Sequence, residues 1–309
     1  MVKSLTVYKN FDIKMSHKGS IILIGNFDGL HLGHQKLFKL AKKFKKKYSL
    51  KIGVLTFEPM PKMFFNNNLN NFRISNENQK IDLLKNFDVD FIIIKKFDKK
   101  FSKIKSENFI KKILNLKLEA KFIFVSNNFR FGNKREGNVN QLIRNESTYN
   151  YKIIKPKPLL KNKKVISSSL IRKFLQSGKL SKVNKFLGRE WSISGKVMKG
   201  RQLGKKIGFP TANIDIKDYV LAKPGVYAVK VKKQNSTRLI KGIANLGYRP
   251  TFNQKKLLLE VHLFNFSENI YNKYLTVNFF KFIRKEKKFR NINELKKQIK
   301  IDLIKAKKI

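Results

Sequence analysis

The chain has 309 residues, of which 41% are hydrophobic, enough for two domains that each bury a core; it has no cysteine, which excludes disulfides and thiolate metal sites. Its 70 lysines and arginines against 20 acidic residues give a formal charge of +50, which permits non-specific binding to polyanions. The lysines run the whole length without a basic arm or a Gly/Arg tract, and the abundance of Asn, Ile and Phe points to A+T-rich codons. A solvated lysine coat is therefore the favoured reading of the charge, and a nucleic-acid-binding protein its competitor. No apolar run precedes a cleavage-like site near the N-terminus, and no stretch approaches the about 18 apolar residues of a membrane span. The expectation is a soluble, cytoplasmic protein; no feature specifies its oligomeric state.

In chain order, residues 20–24 (SIILI) form an apolar run ending at Gly25, the pattern of a buried parallel strand. After His34, the residues Leu37, Leu40, Ala41, Phe44 and Tyr48 recur at helical spacing, with lysines on the other face. Residues 51–57 predict a strand, broken by Pro59 and Pro61. Next come a helix at 77–87, a strand at 90–94, an amphipathic helix at 106–116 and a strand at 121–125. This alternation predicts a parallel sheet with crossover helices. Residues 66–71 (NNNLNN) predict a loop.

Beyond about residue 187 the rhythm changes to short alternating segments: SISGKVM, GVYAVKVKK, IKGIANLG, KLLLEVHLFNF and YLTVNFFKFI. Gly and Asn turns separate them, as in an antiparallel sheet or small barrel. Residues 292–307 predict a closing helix with Leu295, Ile299, Leu303 and Ala306 on one face. The expected domains are 1–187 and 188–309.

The stretch from Gly25 to Gln35 (GNFDGLHLGHQ) holds two of the four histidines. It follows a buried strand and opens a helix, the place where an α/β sheet binds ligands and where free helix amides accept phosphate. Gly33 would let a phosphate approach the backbone, and His31 and His34 would face one anion and stabilise charge on a phosphoryl group. The alternative is that both histidines cap the helix. Ser167-Ser168-Ser169-Leu170-Ile171-Arg172 stands at another helix start, as a phosphate grip or as an ordinary N-cap. Asn128-Phe129-Arg130-Phe131-Gly132 follows the 121–125 strand and suits a planar ring, or else packs as a buried loop. In the second half, residues 204–213 (GKKIGFPTAN) read as a phosphate-wrapping loop with Mg²⁺-suited Thr and Asn oxygens, or as a β-turn. Glu260 is a carboxylate inside the apolar run LLLEVHLF, either functional or edge-exposed; His262 shares its strand face.

Gly25-Asn26-Phe27-Asp28-Gly29-Leu30-His31-Leu32-Gly33-His34 resembles the signature of the nucleotidyltransferase superfamily. With Gln35, Thr56-Phe57-Glu58-Pro59, the Asn128 to Gly132 stretch and the serine triplet, it is similar to the flavin adenylyltransferase module of bacterial bifunctional FAD synthetases. Gly208-Phe209-Pro210-Thr211-Ala212-Asn213 resembles the riboflavin kinase signature. Residues 221–227 (LAKPGVY), 245–252 (NLGYRPTF), 260–262 (EVH) and 283–289 (IRKEKKF) follow in that family's order.

The resemblance implies a Rossmann-like α/β domain of nucleotidyltransferase type, then a small antiparallel β-barrel closed by a C-terminal helix. It implies an ATP and phosphate site from Gly25, Asn26, Phe27, Asp28, Gly33, Ser168, Ser169 and Arg172, with His31 and His34 catalytic, and flavin contacts from Asn128, Phe129 and Arg130. In the barrel it implies ATP contacts from Gly204, Gly208, Pro210, Thr211 and Asn213. There Thr211 and Asn213 would hold Mg²⁺ and Glu260 would be the general base. The implied substrates are riboflavin, FMN and ATP, with no specific nucleic acid and no membrane. Ser126 stands where the family usually has Gly, and Met60 where many relatives have His. A chain with one decayed module is a further possibility, the adenylyltransferase half being the likelier casualty. Other nucleotidyltransferases and class I aminoacyl-tRNA synthetases share the histidine motif, but none carries the G-F-P-T-A-N barrel.

Overall fold

The computed structural model describes residues 5–308 except 67, 70, 201, 217–218, 235 and 251–254. Asn67 and Asn70 of the predicted loop, and Thr251 and Phe252 of the kinase-like pattern, thus lie outside the described residues. Six strands form one parallel sheet: Thr6–Tyr8 (β1), Ile21–Ile24 (β2), Ile52–Glu58 (β3), Phe91–Lys96 (β4), Phe122–Phe124 (β5) and Lys152–Ile154 (β6), ordered β1-β4-β3-β2-β5-β6. The period-two alternation sorts their side chains between two cores. Ile22, Ile24, Leu55, Phe57, Ile93 and Ile123 face one; Ile21, Leu23, Val54, Ile92, Ile94 and Phe124 face the other. Burial on both faces explains why these strands read as unbroken apolar runs.

Helices Leu32–Tyr48 (α1) and Glu77–Lys85 (α2) match the expected spans closely. The helix expected at 106–116 begins as Ser106–Asn108 and widens to i→i+5 bonding over Phe109–Lys117. β1 and β6 were not expected. The strand order turns between β2 and β5, so the switch point of the sheet lies beyond their carboxyl ends.

The chain divides into two compact units, one of residues 1–69 with 77–167, the other of 70–76 with 168–309. Apart from residues 70–76, the second compact unit begins at residue 168. Helices Ser168–Gln176 (α3) and Leu180–Leu187 (α4) go with the second unit. Backbone and side-chain bonds tie them to it: Asn184 Nδ2 donates to the Phe279 carbonyl at 3.0 Å, and Lys223 N–H donates to the Leu175 carbonyl at 2.9 Å. Residues 70–76 join this unit through the Trp191 indole, whose Nε1–H donates to the Ile74 carbonyl at 3.0 Å.

The second unit is a closed antiparallel barrel of Trp191–Met198 (β7), Ala212–Ile214 (β8), Gly225–Lys233 (β9), Leu239–Pro250 (β10), Lys255–Leu263 (β11) and Tyr274–Lys285 (β12), in the order β7-β8-β11-β10-β9-β12. The closing helix Ile292–Lys307 (α5) is capped by Asn291, which accepts from the Glu294 N–H at 3.0 Å. Its Ile299, Leu303 and Ala306 pack on Val226, Ala228 and Ile243 of the barrel wall. A bidentate pair locks it there: the Arg284 guanidinium meets the buried Asp302 carboxylate at 2.9 Å through Nη2 and through Nε. No helix among the described residues is long and apolar enough to cross a membrane.

Candidate functional site

At the end of β2 the Gly25 N–H donates to the Leu55 carbonyl at 3.1 Å. The loop then turns through Phe27 (φ 47°), Gly29 (φ 76°) and Leu30 (φ 36°). Left-handed Phe and Leu are strained, and burial over-determines them: Phe27 is 2% exposed and Leu30 0%. This turn delivers His31 to the N-cap of α1, where its Nδ1 accepts from the His34 N–H at 3.3 Å. The acceptor role puts the ring proton of neutral His31 on Nε2. The two imidazoles stack with centroids 3.6 Å apart and planes 19° apart. Two positive charges at that spacing repel, and burial holds His34 well below the ordinary histidine range, with His31 and Lys80 adding to the effect. His34 Nδ1 is enclosed and has no hydrogen-bond partner among the described residues. The helix start thus carries two stacked imidazoles suited to donating to an anion, with His34 kept uncharged by burial.

Capping is therefore observed for His31. A Cβ at Gly33 would lie 3.1 Å from the His31 ring and 3.2 Å from the Ile166 carbonyl, so a side chain there would crowd both. Phe27, expected along the nucleotide, sends its ring into the core against Phe38, and Asp28 is 2% exposed. The Asn26 carbonyl accepts from Thr56 Oγ1 at 3.4 Å. One charged residue escaped the sequence reading. Lys80, on α2, is 2% exposed, and its ammonium lies 3.4 Å from Thr56 Oγ1. The available signal was a lysine four residues before Leu84, on the buried stripe of the helix.

Across the switch point, after β5, Ser126 Oγ donates to Asn128 Oδ1 at 2.9 Å. Phe129 stacks on Phe131 at 5.5 Å and 17°, while Asn128 and Arg130 are exposed. Met60, the other departure, is buried. In the second unit, Ser168, Ser169 and Arg172 lie on the first turns of α3. The Arg172 guanidinium lies 3.6 Å from the centroid of the Phe72 ring, and its Nε–H donates to the Phe72 carbonyl at 2.7 Å.

The barrel site is built by register. β8 places Asn213 opposite Glu260 on β11, and β10 places Asn245 opposite Glu260 from the other side. Their neighbours Ala212, Ile214, Leu246, Leu259 and Val261 are buried in the barrel, so the three polar residues face outward in one row. A cavity of about 350 Å³ opens over Asn245 and Glu260, walled by Val226, Ile243, Phe289, Leu295 and Ile299 and lined also by Thr211 and Glu286. Burial pushes the Glu286 carboxyl up. His262 Nδ1–H donates to the Pro210 carbonyl at 2.8 Å, tying the G-F-P-T loop to the Glu260 strand.

Thr211 also lines a second cavity of about 430 Å³, with Lys205, Phe266, Ser267, Asn269 and Tyr271. Asn213 Oδ1 is buried with no hydrogen-bond partner among the described residues. Gly204 lies in a short helical turn, Leu203–Lys206, where a Cβ would collide with the Phe209 carbonyl. Gly208, at φ 87°, faces open space. P-T-A-N, read as a loop or turn, is in part a strand, and Asn245 became a site residue only through pairing.

The FAD synthetase family model matches residues 13–170 and the riboflavin kinase model residues 187–309. A bifunctional riboflavin kinase/FMN adenylyltransferase of Buchnera aphidicola subsp. Schizaphis graminum is 42% identical over 300 residues, covering 96% of each chain. Proteins of the same name from Escherichia coli K12 and Bacillus subtilis are 35% and 31% identical, each covering 94% of this chain and 92% of the relative. A crystal structure described as a macrolide-efflux protein from Streptococcus pneumoniae superposes with a TM-score of 0.86 at 28% identity, covering 98% of both chains. That description concerns efflux, whereas both family models and these curated relatives concern flavin synthesis. With both halves matched in order and relatives above 30% identity over almost the whole length, the chain belongs to the bifunctional riboflavin kinase/FMN adenylyltransferase family.

Proposed function

We propose that this chain makes FAD in two steps: the barrel phosphorylates riboflavin with ATP, and the parallel-sheet domain adenylylates the resulting FMN. The observation that carries the reading is that Thr211 borders two cavities, only one of which holds Glu260. Flavin in the apolar cavity over Glu260 and ATP in the other would meet at Thr211. Glu260 accepts the proton of the ribityl 5′-hydroxyl as that oxygen attacks the γ-phosphorus and ADP leaves. Asn245 and Asn213 flank the carboxylate in the same row.

Mg²⁺ fits the residues present. The enclosed Asn213 Oδ1 and the Thr211 hydroxyl are hard oxygen donors, and the described residues hold no cluster of three or more His, Cys, Asp or Glu suited to a metal. Two neutral protein ligands leave the rest of the shell to nucleotide phosphates and water. The ion would supply charge neutralisation on the transferring phosphate.

In the other domain the nucleophile is the FMN phosphate, already anionic, so the site needs charge stabilisation and no base. The stacked pair His31 and His34, at the N-terminus of α1, meets that need as hydrogen-bond donors while the α-phosphorus is attacked and pyrophosphate leaves. Asn26 belongs to the same loop; Ser168, Ser169 and Arg172 grip the phosphates; Asn128, Phe129 and Arg130 meet the flavin. The functional modules are 1–187 and 188–309, a division supported by the start of the kinase match at residue 187. The protein works on small molecules in the cytoplasm, and its charge is a lysine coat.

The test is to incubate the full chain with riboflavin, ATP and Mg²⁺ and to separate the flavins by chromatography. FAD is the expected product. FMN alone would mean that the adenylyl step is lost, and unchanged riboflavin would sink the reading.

A further inference from the structure

Arg172 is supported by residues 100 positions upstream. Its guanidinium plane lies over the Phe72 ring at 3.6 Å, and its Nε–H donates to the Phe72 carbonyl at 2.7 Å. Phe72 in turn sits on an anchored segment. The Val220 N–H donates to the Arg73 carbonyl at 2.7 Å, the Trp191 indole to the Ile74 carbonyl at 3.0 Å, and the Asn76 amide to the Ser194 carbonyl at 3.2 Å. Arg172 is 9% exposed, and it follows Ser168 and Ser169 by four and three residues, so all three share one face at the start of α3. The ring face and the carbonyl fix the guanidinium plane and its Nε edge. An arginine side chain otherwise loses rotamer freedom when it clamps a phosphate, and a pre-oriented fork loses less.

We infer that Phe72 is a positioning residue for adenylyl transfer, holding the Arg172 fork in the orientation in which it meets the nucleotide phosphates. This rests on the reading of Arg172 as a phosphate-gripping residue. Phe72 acts through Arg172 and touches no reacting atom. Its contribution is to ATP binding in one of the two reactions, although its segment packs in the barrel unit. A purely structural role predicts the opposite pattern, with loss of stability and of both activities together.

The experiment uses the full chain and measures KM for ATP separately in FMN adenylylation and in riboflavin phosphorylation. Phe72→Leu keeps apolar bulk but removes the ring face. It should raise the adenylylation KM for ATP about 3- to 30-fold, the span of a cation–π contact from exposed to desolvated. Its kcat and its kinase KM should stay near wild type. Phe72→Tyr should restore the wild-type KM, and Arg172→Ala should raise it at least as far as Phe72→Leu. An unchanged KM in Phe72→Leu beside a raised one in Arg172→Ala would overturn the role of Phe72 while leaving Arg172 in place. No effect of Arg172→Ala would overturn the phosphate reading itself. Equal loss of both activities with a lowered Tm, unrescued by Tyr, would reduce the contact to packing.

Discussion

The two units build their sites by opposite routes. In the parallel-sheet unit, one strained turn and one helix start bring His31 and His34 into a stack, from residues three apart in sequence. In the barrel, Asn213, Glu260 and Asn245 meet only because three strands pair in one register. A site made by a helix start depends on local geometry and suits an anion that arrives fully charged. A site made by register is all-or-none, because a one-residue slip of β11 would turn Glu260 into the barrel interior. It suits chemistry that needs one carboxylate beside one hydroxyl. The difference in construction follows the difference in nucleophile: phosphate in one unit, alcohol in the other.

The largest expected break in this symmetry is at Glu260. Glu260→Gln keeps the shape but removes the carboxylate proposed as base, and FMN formation should fall by about 10²–10⁴-fold. Adenylylation of supplied FMN should continue unchanged; chromatography of both reactions checks this, and parallel loss of the two would contradict separate sites. His31→Ala should do the converse. It removes one donor and the α1 cap, lowering FAD formation by about 10²–10³-fold while sparing FMN formation.

Stability should separate the units next. Asp302→Asn leaves Arg284 without its bidentate partner, and unfolding of the barrel unit should cost about 1–3 kcal/mol less in a denaturant titration. The discount from a fully buried pair reflects Arg284, whose side chain is 20% exposed. An unchanged midpoint would show that apolar packing alone holds α5.

The smallest effect is acid sensitivity. His34 is held below its ordinary range, so the unfolded chain binds its proton first. The contribution is fully present above the ordinary histidine value of about 6.5 and is lost as pH falls below it, with a slope of at most about 1.4 kcal/mol per pH unit. Thermal melts from pH 8 to 5.5 should show this loss in the wild type and a flatter profile in His34→Gln. Equal slopes would place the acid sensitivity elsewhere.

Much of this was written locally. Apolar runs of four to seven residues marked β2, β3 and β4, because a strand buried on both faces has no polar alternation. The helical spacing after His34 marked α1, and alternation after residue 187 marked the barrel. The histidine pair, the serine triplet and Glu260 were legible because their residue types were out of place, scarce or clustered. Periods and caps are encoded within about ten residues, the range over which sequence patterns persist.

Tertiary structure alone decided what joins distant segments. It moved residues 70–76 into the second unit, set Phe72 under Arg172, and aligned Asn245 with Glu260. It set the His31 ring and the Ile166 carbonyl beside Gly33, and it buried Phe27 and Lys80. None of these has a local signature, since each depends on which surfaces the folded chain leaves to be covered. Residue types and their spacing along the chain specified the chemistry; strand register and long-range packing specified which of those residues stand together to perform it.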